Sequence, residues 1–219
     1  MKKNLLQAIN LMFVPILFVM IIWMSKGLEP ILNINFYEYG IVSWDTNKLI
    51  GIITFPLIHV DFLHLINNTY PILILGGIIS VVYKTIANRV FFLSYVLSGI
   101  ILWMIGTRDG TITVGASGVV YALASFILVS GFIKKQPRLA ILSFLVIFLN
   151  LSNIFDIIPI EVGDGISRIG HFSGFIAGII VAVIYRKKGP QPKKYLWEIE
   201  EELENKEESS VNYIYKKED

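Results

Sequence analysis

Six long uncharged apolar runs constrain the fold of this chain more than any other feature. A bilayer core of about 30 Å needs roughly 20 largely apolar residues per helical span, and each run is close to that length. We therefore predict an all-α membrane protein with six transmembrane helices in one bundle. The six runs are Leu5 to Met24, Phe62 to Val82, Val90 to Gly106, Ser117 to Ile133, Leu139 to Phe155 and Ile169 to Tyr185.

The composition supports a membrane location. Of 219 residues, 54% are hydrophobic and only 16% are charged, which is too little charge to cover the surface of a soluble domain of this length. The first run could be mistaken for a signal peptide, because Ser25-Lys26-Gly27 loosely matches a cleavage site. A signal's apolar region is usually about 7 to 15 residues long, so we interpret the run as a retained span.

The positions of Lys and Arg predict the orientation, because basic residues near span ends tend to stay in the cytoplasm. Ten basic residues fall on one predicted side and four on the other. Both termini should therefore be cytoplasmic, most simply in the plasma membrane. The ten are Lys2, Lys3, Lys84, Arg89, Lys134, Lys135, Arg138, Arg186, Lys187 and Lys188, and the four are Lys26, Lys48, Arg108 and Arg168.

Three segments lie outside the predicted spans. Ser25 to Asp61 is rich in aliphatic and aromatic residues, which predicts short helices partly immersed at the outer membrane boundary. Asp156 to Arg168 contains Pro159, Gly163 and Gly165 and is a candidate movable cover. We divide the chain into a membrane domain, 1–188, and a charged cytoplasmic tail, 189–219, with a short helix predicted near Lys193 to Glu208.

A serine opens the fourth predicted span, in the motif Gly115-Ala116-Ser117-Gly118. Glycines let a backbone and a substrate approach closely, as at the nucleophile turn of soluble serine hydrolases. The helix N-terminus adds unpaired N–H groups and partial positive charge, which suit a developing oxyanion. Helix packing through small residues is an alternative explanation of the same motif.

A histidine opens the sixth span, in Gly170-His171-Phe172-Ser173-Gly174. Gly170, Gly174 and Gly178 recur every four residues and form a stripe along which another helix can approach closely. The start of the fourth span is the expected partner, since both spans enter from the outer side. Ser117 and His171 should then lie at similar depth, with the imidazole able to accept the serine proton. No carboxylate lies within a predicted span, so we predict a dyad.

His64 and Asn68 are four residues apart in the second span and share one helical face. Both can donate hydrogen bonds, and with the Ser117 N–H they could form an oxyanion hole, although polar contacts between helices would explain them equally well. Tyr121, one turn after Ser117, could pack its ring on His171 or belong to the core. Ionisable groups near a membrane suggest function, and His59 is the third histidine in this region.

Over Leu49 to Tyr185 the chain resembles the rhomboid family of intramembrane serine proteases. The motifs that carry the resemblance are His59-x4-His64-x3-Asn68, Gly115-Ala116-Ser117-Gly118 with Tyr121, and Gly170-His171-x2-Gly174-x3-Gly178. It implies a catalytic pair Ser117 and His171, with oxyanion assistance from His64 and Asn68. It also implies transmembrane proteins as substrates, entry beside the fifth span, and Asp156 to Arg168 as the gate. The lipid bilayer is then the other partner, and neither nucleic acid nor a cofactor is expected.

One position departs from the family's pattern. Many members carry Trp-Arg about nine residues before the first motif histidine, where this chain has Ile50-Gly51, and the nearest tryptophan, Trp44, is followed by Asp45. We therefore expect the outer loop to be anchored differently, with the catalytic set unaffected.

Two other functions fit parts of the pattern. A catalytically inert relative would bind membrane helices without cutting them, which the intact serine and histidine argue against. A metal or haem protein could use the three histidines. However, His59 and His64 are predicted to point to different helix faces, and no acidic ligand lies within the spans. The absence of cysteine excludes disulfides and thiolate ligands, and no metal is expected.

Overall fold

The computed structural model describes residues 12–150, 158–160 and 167–190, and in the tail residues 197, 200–201 and 203–206. The chain is mostly helical. The elements of the described residues, in chain order, are α1 (Phe13–Leu32), β1 (Ile41–Val42), α2 (Gly51–Thr54), α3 (Phe62–Val82), α4 (Ala87–Ile105), β2 (Ile112–Thr113), α5 (Ser117–Ile133), α6 (Pro137–Asn150) and α7 (Arg168–Ile184).

Three of the described helices, α1, α3 and α4, are long and apolar enough to cross a membrane. Helices α5 and α7 are also apolar but have 17 residues each. The described parts of the six predicted runs fall in α1 and in α3 to α7, apart from the end residues Met12, Gly106 and Tyr185, while residues 5–11 and 151–155 lie outside the described residues.

Helix α1 continues eight residues beyond the predicted end of the first run, from Met24 to Leu32. Lys26 and Glu29, the charged residues of this stretch, form an ion pair one helical turn apart, with Lys26 Nζ 2.6 Å from Glu29 Oε2. The helix can therefore continue through residues that the sequence placed in a loop. The helix ends at Asn33, which has a left-handed backbone (φ 54°) and donates its N–H to Glu29 O.

Helix α5 is the centre of the bundle, packing against α3, α4, α6 and α7. Its closest neighbour is α7. A Cβ on Gly174 would overlap the carbonyl oxygen of Gly118, and one on Gly178 would overlap Ala122 O. The predicted approach of the two helices along the glycine stripe is thereby confirmed, and Ser125 Oγ adds a hydrogen bond across it to Phe175 O, at 2.9 Å.

Within the described residues, the chain segments that carry three of the basic clusters predicted to be cytoplasmic, those after α3, α5 and α7, meet at one end of the bundle. Lys134, after α5, is almost fully buried and donates to the carbonyls of Arg186 and Lys188, after α7, at 2.9 and 2.5 Å. Tyr83, after α3, donates to Ser130 Oγ at 2.9 Å. Burial, which disfavours the charged ammonium, lowers the pKa of Lys134. The ends of α3, α5 and α7 are thus held together by buried polar contacts.

The segment after α1 forms short helical turns at Phe36–Tyr39, Thr46–Lys48 and Phe55–Leu57, together with α2. The predicted short helices are present in this segment, their immersion at the membrane boundary stays a prediction, and the two-stranded sheet was not predicted. Strand β1 pairs antiparallel with β2, Ile41 opposite Thr113 and Val42 opposite Ile112. Because β2 ends four residues before Ser117, this pairing connects the outer segment to the start of α5.

Trp44 anchors the outer segment to the end of α4. Its backbone N–H donates to Trp103 O at 3.2 Å and its indole N–H donates to Gly106 O at 3.1 Å. The Arg108 guanidinium carbon lies 4.2 Å from the centre of the Trp44 ring, a cation–π contact. In this chain the tryptophan and the arginine that contact each other are Trp44 and Arg108, which lie in two different connections and are not adjacent in the sequence.

Candidate functional site

Ser117 is the first residue of α5 and is partly exposed, in a helix whose next ten residues are all buried. The first turn of an α-helix leaves its N–H groups without partners inside the helix. The backbone around Ser117 therefore offers hydrogen-bond donors beside an accessible hydroxyl.

Gly115 allows the turn before Ser117. Its φ of +118° is a conformation that residues with a side chain rarely adopt. A Cβ here would also lie 2.6 Å from Cε1 and 2.8 Å from Nε2 of His64. The missing side chain thus lets the His64 ring lie directly against the backbone two residues before Ser117.

His171 lies in the first turn of α7, buried and stacked on Tyr121. The two ring centroids are 4.4 Å apart, with 29° between the planes. Tyr121 is one turn after Ser117 on α5, so both side chains project from the same face of that helix. Gly118 faces Gly170 and Gly174, which flank His171. The structure therefore places Gly118, the residue after Ser117, opposite Gly170, the residue before His171.

His64 and Asn68 lie on one face of α3, as predicted. Asp61 is the N-cap of this helix and accepts the backbone N–H of His64 at 2.7 Å. Asn68 is buried, and its amide nitrogen donates to His64 O at 3.1 Å. This bond uses one of the two N–H groups of the amide.

The prediction that His59 and His64 point apart is wrong. His59 precedes α3, which begins at Phe62, so helical periodicity does not apply to it. The two rings lie edge to face, with centroids 5.1 Å apart. The backbone N–H of Ala116 donates to His59 Nε2 at 3.4 Å, and His59 Nδ1 is buried without a hydrogen-bond partner in the described part of the chain.

His59 therefore supports the residue next to the serine, a connection that the sequence did not reveal. Gly115 is held in the same way, because its N–H donates to Phe55 O at 2.9 Å. The signal that could have suggested this was the apolar segment Phe55 to Ile58, which is too hydrophobic for a solvated loop.

Burial of His59 predicts a pH-dependent stability. Desolvation, followed by the charges of His64 and Lys26, lowers the pKa of His59 from 6.5 to about 3. The unfolded chain takes up a proton below pH 6.5 that folded His59 does not, so the free energy of unfolding should fall as the pH drops from about 6.5 towards 3. In His59→Gln, whose side-chain oxygen can still accept from Ala116, detergent unfolding at about pH 7 and pH 4.5 should show a weaker pH dependence. An equal dependence would contradict this.

The candidate gate, Asp156 to Arg168, lies mostly outside the described residues. Its last residue, Arg168, starts α7, where Ser167 caps the helix by accepting Gly170 N–H at 3.2 Å. Within the described residues, no group of three or more His, Asp or Glu side chains is arranged to hold a metal ion.

Apolar helices, a central glycine contact and polar residues gathered at one end define a helical integral membrane protein with a serine and a histidine on facing helices. A family model, the Rhomboid domain, matches residues 46–188. The chain belongs to the rhomboid family.

Similar curated proteins come from mycobacteria and are themselves uncharacterized. One from Mycobacterium tuberculosis and one from Mycobacterium bovis are each 27% identical over 182 residues, covering 80% of this chain and 75% of the relative. A Mycobacterium leprae protein is 26% identical over 182 residues, covering 80% of this chain and 71% of the relative. Because these relatives are uncharacterized, they indicate no activity for this chain.

Proposed function

We propose that this protein is an intramembrane serine endopeptidase that cuts other membrane proteins in or near their transmembrane segments, with the catalytic dyad Ser117 and His171. The observation that carries the proposal is the α5–α7 contact, in which Gly118 faces Gly170 and Gly174 while His171 stacks on Tyr121. Because the two helices touch at glycines next to Ser117 and His171, this contact supports the Ser117 hydroxyl and the His171 imidazole as the reactive pair.

In this mechanism Ser117 Oγ attacks the carbonyl carbon of the scissile bond as its proton moves to His171. Serine is a weak nucleophile until a base accepts that proton. The imidazolium then protonates the leaving amine as the C–N bond breaks. Water, deprotonated by the same imidazole, hydrolyses the acyl-enzyme and returns Ser117 to its initial state. No cofactor or metal takes part.

The tetrahedral intermediate carries a negative oxygen that needs donors already in place. The Ser117 N–H, the His64 side chain and the Asn68 amide are our proposed set. Removing one such donor commonly costs about 3 kcal/mol of transition-state stabilisation. Close packing is the proposed role of four glycines, Gly115, Gly118, Gly174 and Gly178. Tyr121 would position the His171 ring, and His59 would position Ala116.

The membrane arrangement completes the proposal. We also propose six spans and cytoplasmic termini, on the basis of the apolar runs and the basic clusters, and residence in the plasma membrane. Lys134, Arg186 and Lys188 meeting at one end of the bundle supports this orientation. The substrate would enter from the bilayer beside α6, with Asp156 to Arg168 as the gate.

Reconstitution tests the activity directly. The full chain, in liposomes with a fluorescently labelled single-pass membrane protein, should release two fragments whose mass locates the cut near the outer membrane boundary. Stable binding without product would instead support a catalytically inert member that holds membrane helices.

A further inference from the structure

We propose that Lys26, at the outer end of α1, is a positioning residue that sets the place of both motif histidines, a role that rests on the proposed function. Lys26 Nζ bonds to Glu29 Oε2 at 2.6 Å and to the backbone carbonyl of Val60 at 2.8 Å. The two charged side chains are only 13% and 14% exposed, so the pair is more strongly held than an open surface pair.

Val60 is the residue between His59 and Asp61. On one side of it, His59 accepts the N–H of Ala116, next to the nucleophile. On the other, Asp61 caps α3 by accepting the N–H of His64. The bond from Lys26 to Val60 therefore ties α1 to a segment that carries one imidazole, His59, and that caps the helix carrying the other, His64.

The effect of this bond extends to the reacting atoms through direct contacts. The His64 ring lies against Gly115, and His59 holds Ala116. If the segment shifts, the His64 donor and the Ser117 backbone N–H move relative to each other. Oxyanion stabilisation depends on donors fixed before reaction, and misplacement by about 1 Å can cost about 100-fold in rate.

The charge of Lys26 also acts at this distance, since it contributes to the lowered pKa of His59 after burial and His64. Within the described residues, the charges that act on His59 are those of His64 and Lys26, which lower its pKa, and of Asp61, which raises it. Lys26 is thus close enough for its charge to act on His59. The sequence had placed Lys26 in a loop, away from the histidines.

The test compares Lys26→Met, Lys26→Arg and Glu29→Gln with a matched control, Lys48→Met, using the full chain in liposomes. Lys48 pairs with Glu38 in the same outer segment, but at 3.8 Å and with 37% and 73% of the side chains exposed. We expect Lys26→Met to lower kcat about 10- to 100-fold with KM within about twofold, and Lys26→Arg to restore most of the rate. Glu29→Gln should fall between them, and Lys48→Met should match the wild type.

A second measurement does not depend on turnover. Hydrogen exchange in peptides covering residues 58–64 and 114–118 should be faster in Lys26→Met than in Lys48→Met. Equal kcat and equal exchange in these two variants would overturn the proposal, as would a loss confined to KM. If the wild-type chain shows no turnover, the proposed function fails, and exchange alone then decides whether Lys26 positions the segment. If Lys26→Met does not fold, Glu29→Gln, which preserves the side-chain volume, decides the question: wild-type kcat and wild-type exchange in this variant would overturn the proposal.

Discussion

Ser117→Ala should reduce cleavage of a membrane substrate to the uncatalysed background, a loss of about four orders of magnitude or more. Without the hydroxyl no acyl-enzyme can form. Water would then have to attack the peptide bond directly, which is slow even with the oxyanion donors in place. Alanine at the first position of α5 keeps helix propensity, so the bundle should stay folded. The loss would then be chemical and not structural.

A fluorophosphonate probe gives the same prediction a readout that needs no substrate. The wild-type chain should be labelled at Ser117, and Ser117→Ala should not react. Ser125→Ala is the matched control, because Ser125 lies two turns along the same helix, is buried, and donates to Phe175 O; it should label like the wild type. Labelling of Ser117→Ala at the wild-type level would assign the nucleophile elsewhere.

His171→Ala should abolish turnover by a similar factor while leaving the serine in place. Serine at its free pKa is scarcely nucleophilic, so loss of the base should also remove most probe labelling. Alanine also removes the stacking on Tyr121, which could disturb the α5–α7 contact. His171→Phe keeps an aromatic ring there and separates the two effects.

We expect both His171 variants to be inactive, and His171→Phe to unfold in detergent at nearly the wild-type temperature. Tyr121→Phe provides the complementary control, since it keeps the ring that packs on His171 and should retain substantial activity. Unchanged turnover in His171→Phe would show that another group accepts the serine proton.

Local patterns predicted the helices well because each depends on neighbours in the chain. The glycine spacing of Gly170, Gly174 and Gly178 predicted the α5–α7 contact, since a four-residue repeat always forms one helical stripe. The serine, the histidine and their glycines could be singled out for the same reason. The end of α1 was missed because Lys26 and Glu29 resemble loop residues until their pairing is known.

Contacts between distant segments could not be predicted in this way. Nothing local indicates that Ile41 pairs with Thr113, that Arg108 stacks on Trp44, or that His59 supports Ala116. Each joins side chains or strands more than 50 residues apart, and the geometry that permits them exists only after the helices have packed.

The sequence by itself determined the class of this protein: apolar runs near bilayer length, the family and its motifs, and the helix faces on which serine and histidine lie. These are properties of hydrophobicity and helical periodicity, which act over one or two turns. Only the tertiary structure decided how the outer segment holds the site, through Lys26, His59 and the β1–β2 pair. Those contacts depend on where separate helices end relative to one another, and packing of the whole bundle sets those positions.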